Sequence, residues 1–232
     1  MRTVEKDKVT GKYTVEKFLE IMRLLRAPDG CPWDKEQTHK SIRNNMLEEA
    51  YEAADAIDTD DMAALKEELG DVLMQVVFHS IIAEEKGAFS FDDVVNEVAE
   101  KLVYRHPHVF SNVVAETSEK VLDNWDKLKQ TEKHQSTYTE TLKSVPKAFP
   151  ALMRSAKVQK RAAKANVTIS KETAINSINE CLKNEDIGKL LFYAVALARA
   201  NAVDCEEALA KETDAFIENF AANETKVLDN SL

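Results

Sequence analysis

Residues 47–57 read LEEAYEAADAI and residues 67–80 read EELGDVLMQVVFHS. In both, charged and apolar residues alternate at the three- and four-residue spacing of an amphipathic helix. The intervening Asp58-Thr59-Asp60-Asp61 has the composition of a tight connection. The spacing predicts one helix over about 38–57, with Ile42, Met46, Ala50, Ala53 and Ile57 along its apolar stripe, and another over about 61–86. The second carries Leu65, Leu69, Val72, Leu73, Val76, Val77 and Ile81 and is capped by Gly87. A helical hairpin therefore anchors the fold.

Outward from it the pattern stays helical. Val15, Phe18, Leu19, Met22 and Leu25 predict a first helix that stops at Ala27-Pro28-Asp29-Gly30. Ser90 with Asp93 forms a capping-box signal for a helix running to about Tyr104, which His106-Pro107 ends. Another is expected from Ser118 to about Lys133, and further helices at about 151–165, 171–184, 186–202 and 204–222. The stretch HQSTYTETLKSVPKAFP (134–150) holds two prolines and no helical periodicity, so it is the expected linker between a domain at 1–133 and another at 151–232. With only 5 Gly and 5 Pro in 232 residues, the fold class is all-α, a helical bundle. The halves read as imperfect tandem repeats: Glu68-Leu69-Gly70-Asp71-Val72-Leu73-Met74 parallels Asp186-Ile187-Gly188-Lys189-Leu190-Leu191-Phe192, with Lys189 in place of Asp71.

A net charge of −10 opposes binding to a nucleic-acid polymer or an anionic membrane. No run approaches the roughly 18 apolar residues of a membrane span, and the N-terminus lacks an apolar signal core, so a cytoplasmic protein is expected. Cys31, Cys181 and Cys205 are too widely spaced for a zinc motif or a disulfide framework.

Chemistry concentrates on the hairpin. Residues three apart are neighbours on a helix surface, so Glu49 with Glu52, and Glu68 with Asp71, form two convergent carboxylate pairs that the hairpin sets face to face. Asp71 lies inside an apolar run and Glu49 and Glu52 border the core stripe, so these carboxylates are expected to be at least half buried. Four crowded carboxylates repel strongly unless a cation neutralises them, and oxygen-only ligands select Mg²⁺, with Mn²⁺ as a substitute. The plain alternative is a solvated acidic face, since 41 residues are Asp or Glu. A di-iron centre would need Glu-x-x-His pairs, and Glu52 and Asp71 stand where the histidines belong. His79 reads as a core or supporting histidine. Lys101 and Arg105 supply cations for a phosphate, or else a solvated face; Trp125, with Asn124 beside it, supplies a ring for a base, or else core. Gly30-Cys31-Pro32-Trp33-Asp34 reads as a lid, a base pocket or a connecting turn.

Taken in order, GCPWDKEQTH (30–39), LEEAYEAADAI (47–57), EELGDVLMQVVFHS (67–80) and RHPHVF (105–110) resemble the MazG family of nucleoside triphosphate pyrophosphohydrolases. ALMRSAKVQKRAAKAN (151–166) and IGKLLFYAVALARA (187–200) resemble the C-terminal repeat of its two-repeat members. The resemblance implies an all-α, magnesium-dependent enzyme, usually a homodimer, that releases pyrophosphate from NTPs and dNTPs in cleaning the nucleotide pool. Its signature falls on Glu48, Glu49, Glu52, Glu68 and Asp71, with Lys101 and Arg105 toward the triphosphate and Trp125 toward the nucleoside. The second repeat departs from the pattern: it lacks the Glu-Glu-x-x-Glu cluster and carries Lys189, Ala215 and Asn219 at the Asp, Lys and Arg positions. Activity is therefore expected in the N-terminal repeat, with the degenerate C-terminal repeat serving packing or dimerisation. The alternatives are a non-catalytic helical partner protein on the same scaffold and a base-selective relative acting on dUTP or dCTP.

Overall fold

The computed structural model describes residues 3–111 and 137–229, with side chains to residue 224. The described residues are helical, with no strand among them, and they divide between two units, 1–125 and 126–232. No helix among them is long and apolar enough to cross a membrane.

In the first unit α1 spans Val15–Arg26, opened by the Thr14 side chain accepting from Lys17 N. A short α2, Pro32–Glu36, occupies the loop expected as a lid or turn. α3 spans Arg43–Asp58 and α4 spans Met62–Glu84. Their connection places Asp60 at φ 57, and the Asp61 carboxylate caps α4 by accepting from Ala63 N and Ala64 N. Gly87, at φ 64, closes the other end. α5, Phe91–Arg105, starts with the expected reciprocal Ser90–Asp93 capping box. A single turn, Pro107–Phe110, follows as α6.

The core of this unit joins Leu19 and Met22 of α1, Ile42, and Val77, Phe78, Ile81 and Ile82 of α4, with Phe18, Met74 and Phe91 against it. Each of these large side chains contributes about 1.5–3 kcal/mol by leaving water. The core thus gathers at the C-terminal half of α4, while Leu69 and Leu73 in its N-terminal half are exposed.

Two expectations change here. Helix α3 begins at Arg43, not near Thr38, because Thr38 and Ser41 bond each other: Thr38 N donates to Ser41 Oγ (2.9 Å) and Ser41 N to Thr38 Oγ1 (3.2 Å). Such local side-chain bonds compete with the helix ladder. The inward line of α3 also differs. It runs Ile42, Asn45, Glu49, Ala53, Ala56, and Met46, Ala50 and Ile57 are exposed. Two small alanines let α3 close on α4, and that rotation turns Glu49 toward the partner helix.

In the second unit the stretch 134–150, expected to be free of helix, contains α7, Tyr138–Lys143. A Thr137–Glu140 capping box nucleates it, and Val145 just beyond is buried. The periodicity was too short to read, since one and a half turns hold a single apolar contact. Arg161 fastens this segment by donating to the Thr141 carbonyl and to Ser144 Oγ (2.7 Å). Of the remaining elements, α8 (Ala151–Ala163), α9 (Lys171–Lys183) and α10 (Ile187–Ala200) follow the expected ranges closely, whereas α11 (Cys205–Asp229) runs about two turns past its expected end near residue 222. The helix expected at 118–133 lies outside the described residues.

Candidate metal and substrate site

The α3–α4 hairpin does what its sequence spacing requires. Glu49, Glu68 and Asp71 each place a carboxylate oxygen within 4.8 Å of the others, and all three side chains are half-buried. Among the described residues this is the group of acidic, His or Cys side chains close enough to share a metal ion. Glu52 is exposed, contrary to the expected burial, yet its negative charge reaches both Glu49 and Glu68. It sits one turn further out on α3, where Gly70 and the exposed Leu69 leave α4 open to water. Glu48 is exposed on the flank of α3 beside Glu52 and is not among the three carboxylates that meet.

Crowding leaves an electrostatic mark. Loss of water raises the Glu49 carboxyl above the ordinary glutamate range, and the charges of Asp71 and Glu52 raise it further. Glu68 is raised in the same way, first by desolvation and then by Glu52 and Asp71. The fold therefore holds acidic groups where their charge is disfavoured. Hard oxygen donors converging from two helices fit a divalent cation, which reverses that penalty on binding.

One polar neighbour went unread in the sequence. Gln75, one turn beyond Asp71, turns its amide toward Glu49, favouring that carboxyl's charged form, and is 4% exposed, but its Oε1 is buried with no hydrogen-bond partner. An unmet buried acceptor costs about 1–3 kcal/mol. Its signal was there to see: Gln75 is the one amide in the run Val72–Phe78.

His79 stands two turns past Asp71, half-buried, with its Nδ1 2.8 Å from Nδ1 of His39 and the rings stacked at 5.1 Å, 6° apart. It is not in the acidic cluster, and burial followed by the nearby His39 lowers its basicity. The pair fastens the 37–42 segment to α4. Arg26 secures the preceding loop: it donates to the carbonyls of Asp34 and Gln37, pairs with Glu85 at 2.6 Å, and lies over the Phe78 ring. Gly30 makes that loop possible, because a Cβ there would strike the Leu24 and Leu25 carbonyl oxygens.

The cations of α5 stand as expected one turn apart, both half-buried. Lys101 is ion-paired with Glu97 on its own helix. Trp125 and Asn124 lie outside the described residues.

Residues 37–110, which contain all of α3 through α6, match the family described as MazG nucleotide pyrophosphohydrolase domain. The chain is 38% identical over 224 residues to a nucleoside triphosphate pyrophosphohydrolase of Escherichia coli (strain K12), covering 89% of this chain and 85% of that protein. The chain belongs to the MazG family. A second MazG relative, the nucleoside triphosphate pyrophosphohydrolase/pyrophosphatase MazG of Thermotoga maritima, is 37% identical over 94% of this chain and 88% of its own length. The protein YabN of Bacillus subtilis (strain 168) is 41% identical over 88% of this chain, which spans only 45% of it.

In the second unit, residues 186–189, expected to parallel Glu68–Asp71, belong to no acidic cluster among the described residues. Asp186 serves as the N-cap of α10, accepting from Lys189 N (3.0 Å) and pairing with Lys189 Nζ (3.2 Å). Glu68, by contrast, lies well inside α4, past its first turn. A cavity of about 250 Å³ opens between α9 and α10, lined by Ser177, Cys181, Asn184, Lys189 and Tyr193 among others.

Proposed function

We propose that this chain hydrolyses nucleoside and deoxynucleoside triphosphates to the monophosphate and pyrophosphate at the α3–α4 cluster, clearing surplus or aberrant nucleotides from the cytoplasmic pool. The observation that carries the reading is the convergence of Glu49, Glu68 and Asp71 within 4.8 Å in a chain of this family. Its relatives in E. coli and T. maritima are named for that activity.

Glu49, Glu68 and Asp71, with Glu52 at the rim, would hold Mg²⁺, or Mn²⁺ in its place. A dication bound there supplies positive charge for the triphosphate and lowers the pKa of water. The carboxylates fix its position from two helices packed along their length, so little reorganisation is needed when substrate arrives. Glu48, exposed beside Glu49, is assigned to orient the attacking water and accept its proton. Water adds at the α-phosphorus and the α–β anhydride breaks, so pyrophosphate leaves with both of its phosphoryl groups. Lys101 and Arg105 are assigned to the phosphate chain; for Lys101 this requires exchanging Glu97 for the substrate. Asn124 and Trp125 are assigned to the nucleoside. A homodimer is in keeping with the exposed apolar side chains Leu69, Leu73, Val98 and Leu102 on α4 and α5.

The test is pyrophosphate release from the eight common NTPs and dNTPs with and without Mg²⁺. Turnover of the panel that requires Mg²⁺ and is lost in Asp71→Ala supports the assignment. Absence of Mg²⁺-dependent turnover with every nucleotide defeats it, and favours the non-catalytic scaffold.

A further inference from the structure

Gln75 projects from the face of α4 that carries Asp71, and it is buried among apolar neighbours in the sequence run Val72–Phe78. Its amide orientation is fixed chemically. An ionised carboxylate only accepts, so the group facing Glu49 is Nε2, and Oε1 is the atom left without a donor. Among the described residues the other buried side-chain atom without a partner is Arg154 Nε, in the second unit, whereas Ser80 and Gln159, the other polar residues buried as deeply as Gln75, are satisfied. Ser80 Oγ donates to the Val76 carbonyl at 2.8 Å. Gln159, buried to the same degree, donates to the Phe192 carbonyl at 2.9 Å and accepts from Arg199 at 3.4 Å. Packing alone does not call for an amide at position 75, since a methionine of the same length fills that space without a polar cost.

We propose that Gln75 is a positioning residue of the acidic site: its Nε2 holds the Glu49 carboxylate toward Glu68 and Asp71, and its buried Oε1 is kept to accept a hydrogen bond from a water that enters with the cation. This rests on the reading of the cluster as a divalent-cation site. Residues that grip a ligating carboxylate from behind reduce its freedom before the ion arrives, and losing such a partner typically weakens metal binding about 10–100-fold. The unmet acceptor is the complementary half of the same design, because a site complete without ligand would not leave it bare.

The experiment is calorimetric titration of Mn²⁺ into the full chain, for the wild type, Gln75→Met, Gln75→Leu and Asp71→Ala, together with thermal melting in EDTA. For the Gln75 variants the expected result is a melting temperature in EDTA equal to or above that of the wild type and an Mn²⁺ dissociation constant raised about 10-fold or more. A purely structural glutamine moves the two together, so a fall in melting temperature in both apolar variants overturns the proposal. Wild-type Mn²⁺ affinity in variants that melt normally overturns it too. Should the wild type show no Mn²⁺ binding that Asp71→Ala removes, the cation-site reading itself fails, and the role of Gln75 falls with it.

Discussion

Glu49 and Glu68 hold protons more firmly than free glutamates, because burial and neighbouring negative charge oppose their ionisation. The folded chain consequently binds more protons than the unfolded chain once the pH passes 4.5, the ordinary glutamate value, so this part of its stability falls as pH rises. In EDTA at low salt, Glu68→Gln should melt above the wild type at pH 7.5, and the difference should vanish toward pH 4. A melting difference independent of pH contradicts the repulsion. Adding Mg²⁺ should reverse the order at pH 7.5, since only the wild type gains the full ligand set. For catalysis the sign is opposite: Glu68→Gln and Asp71→Ala should each lose about 100-fold or more in pyrophosphate release, the scale on which one preorganised charge acts. At this scale the sequence was legible where spacing alone decides position. Glu49, Glu68 and Asp71 meet because three-residue spacing on facing helices leaves little choice. Gln75 stood out in the sequence only as an amide in an apolar run, and what it faces, like the His39 partner of His79, was not legible, since those partners come from another element and depend on rotation about the helix axis.

Among the elements, the hairpin was read best and the loop before it least. Capping residues at Thr14, Asp61 and Ser90, and Gly87 at a helix end, mark boundaries that local chemistry fixes. The rotation of α3 escaped because Ala53 and Ala56 mattered more than the larger Met46 and Ile57, and pattern reading favours large side chains. The 30–42 segment depends on Arg26, whose side chain is 6% exposed and reaches two carbonyls, a carboxylate and the Phe78 ring. Arg26→Met should cost about 1–3 kcal/mol by urea unfolding, mainly from the carbonyls left without a charged donor. Gly30→Ala should cost a similar amount, about 1–3 kcal/mol, by forcing the loop off the end of α1. A change under about 0.5 kcal/mol, the scale of ordinary surface substitutions, in either variant would show that the loop is not held there.

At the scale of the whole molecule, the two units use their acidic residues differently. Both contain an antiparallel helical hairpin, but Asp186 is spent on a helix cap and on Lys189, whereas Glu68 is committed to no cap. The double variant Asp186→Ala/Lys189→Ala should therefore release pyrophosphate within about twofold of the wild type, well below the 10-fold that about 1.4 kcal/mol would produce. A loss comparable to that of Asp71→Ala would place part of the site in the second unit. The paired segments raised the expectation of a tandem repeat, while the helix at Tyr138–Lys143 was not legible, because one short capped turn carries too little periodicity. The most direct test of the central claim is an anomalous difference map from crystals soaked with Mn²⁺ and a nonhydrolysable nucleoside triphosphate. The account predicts a peak bounded by the carboxylates of Glu49, Glu68 and Asp71, with the triphosphate against it. A map with manganese elsewhere and those three side chains splayed apart would contradict it.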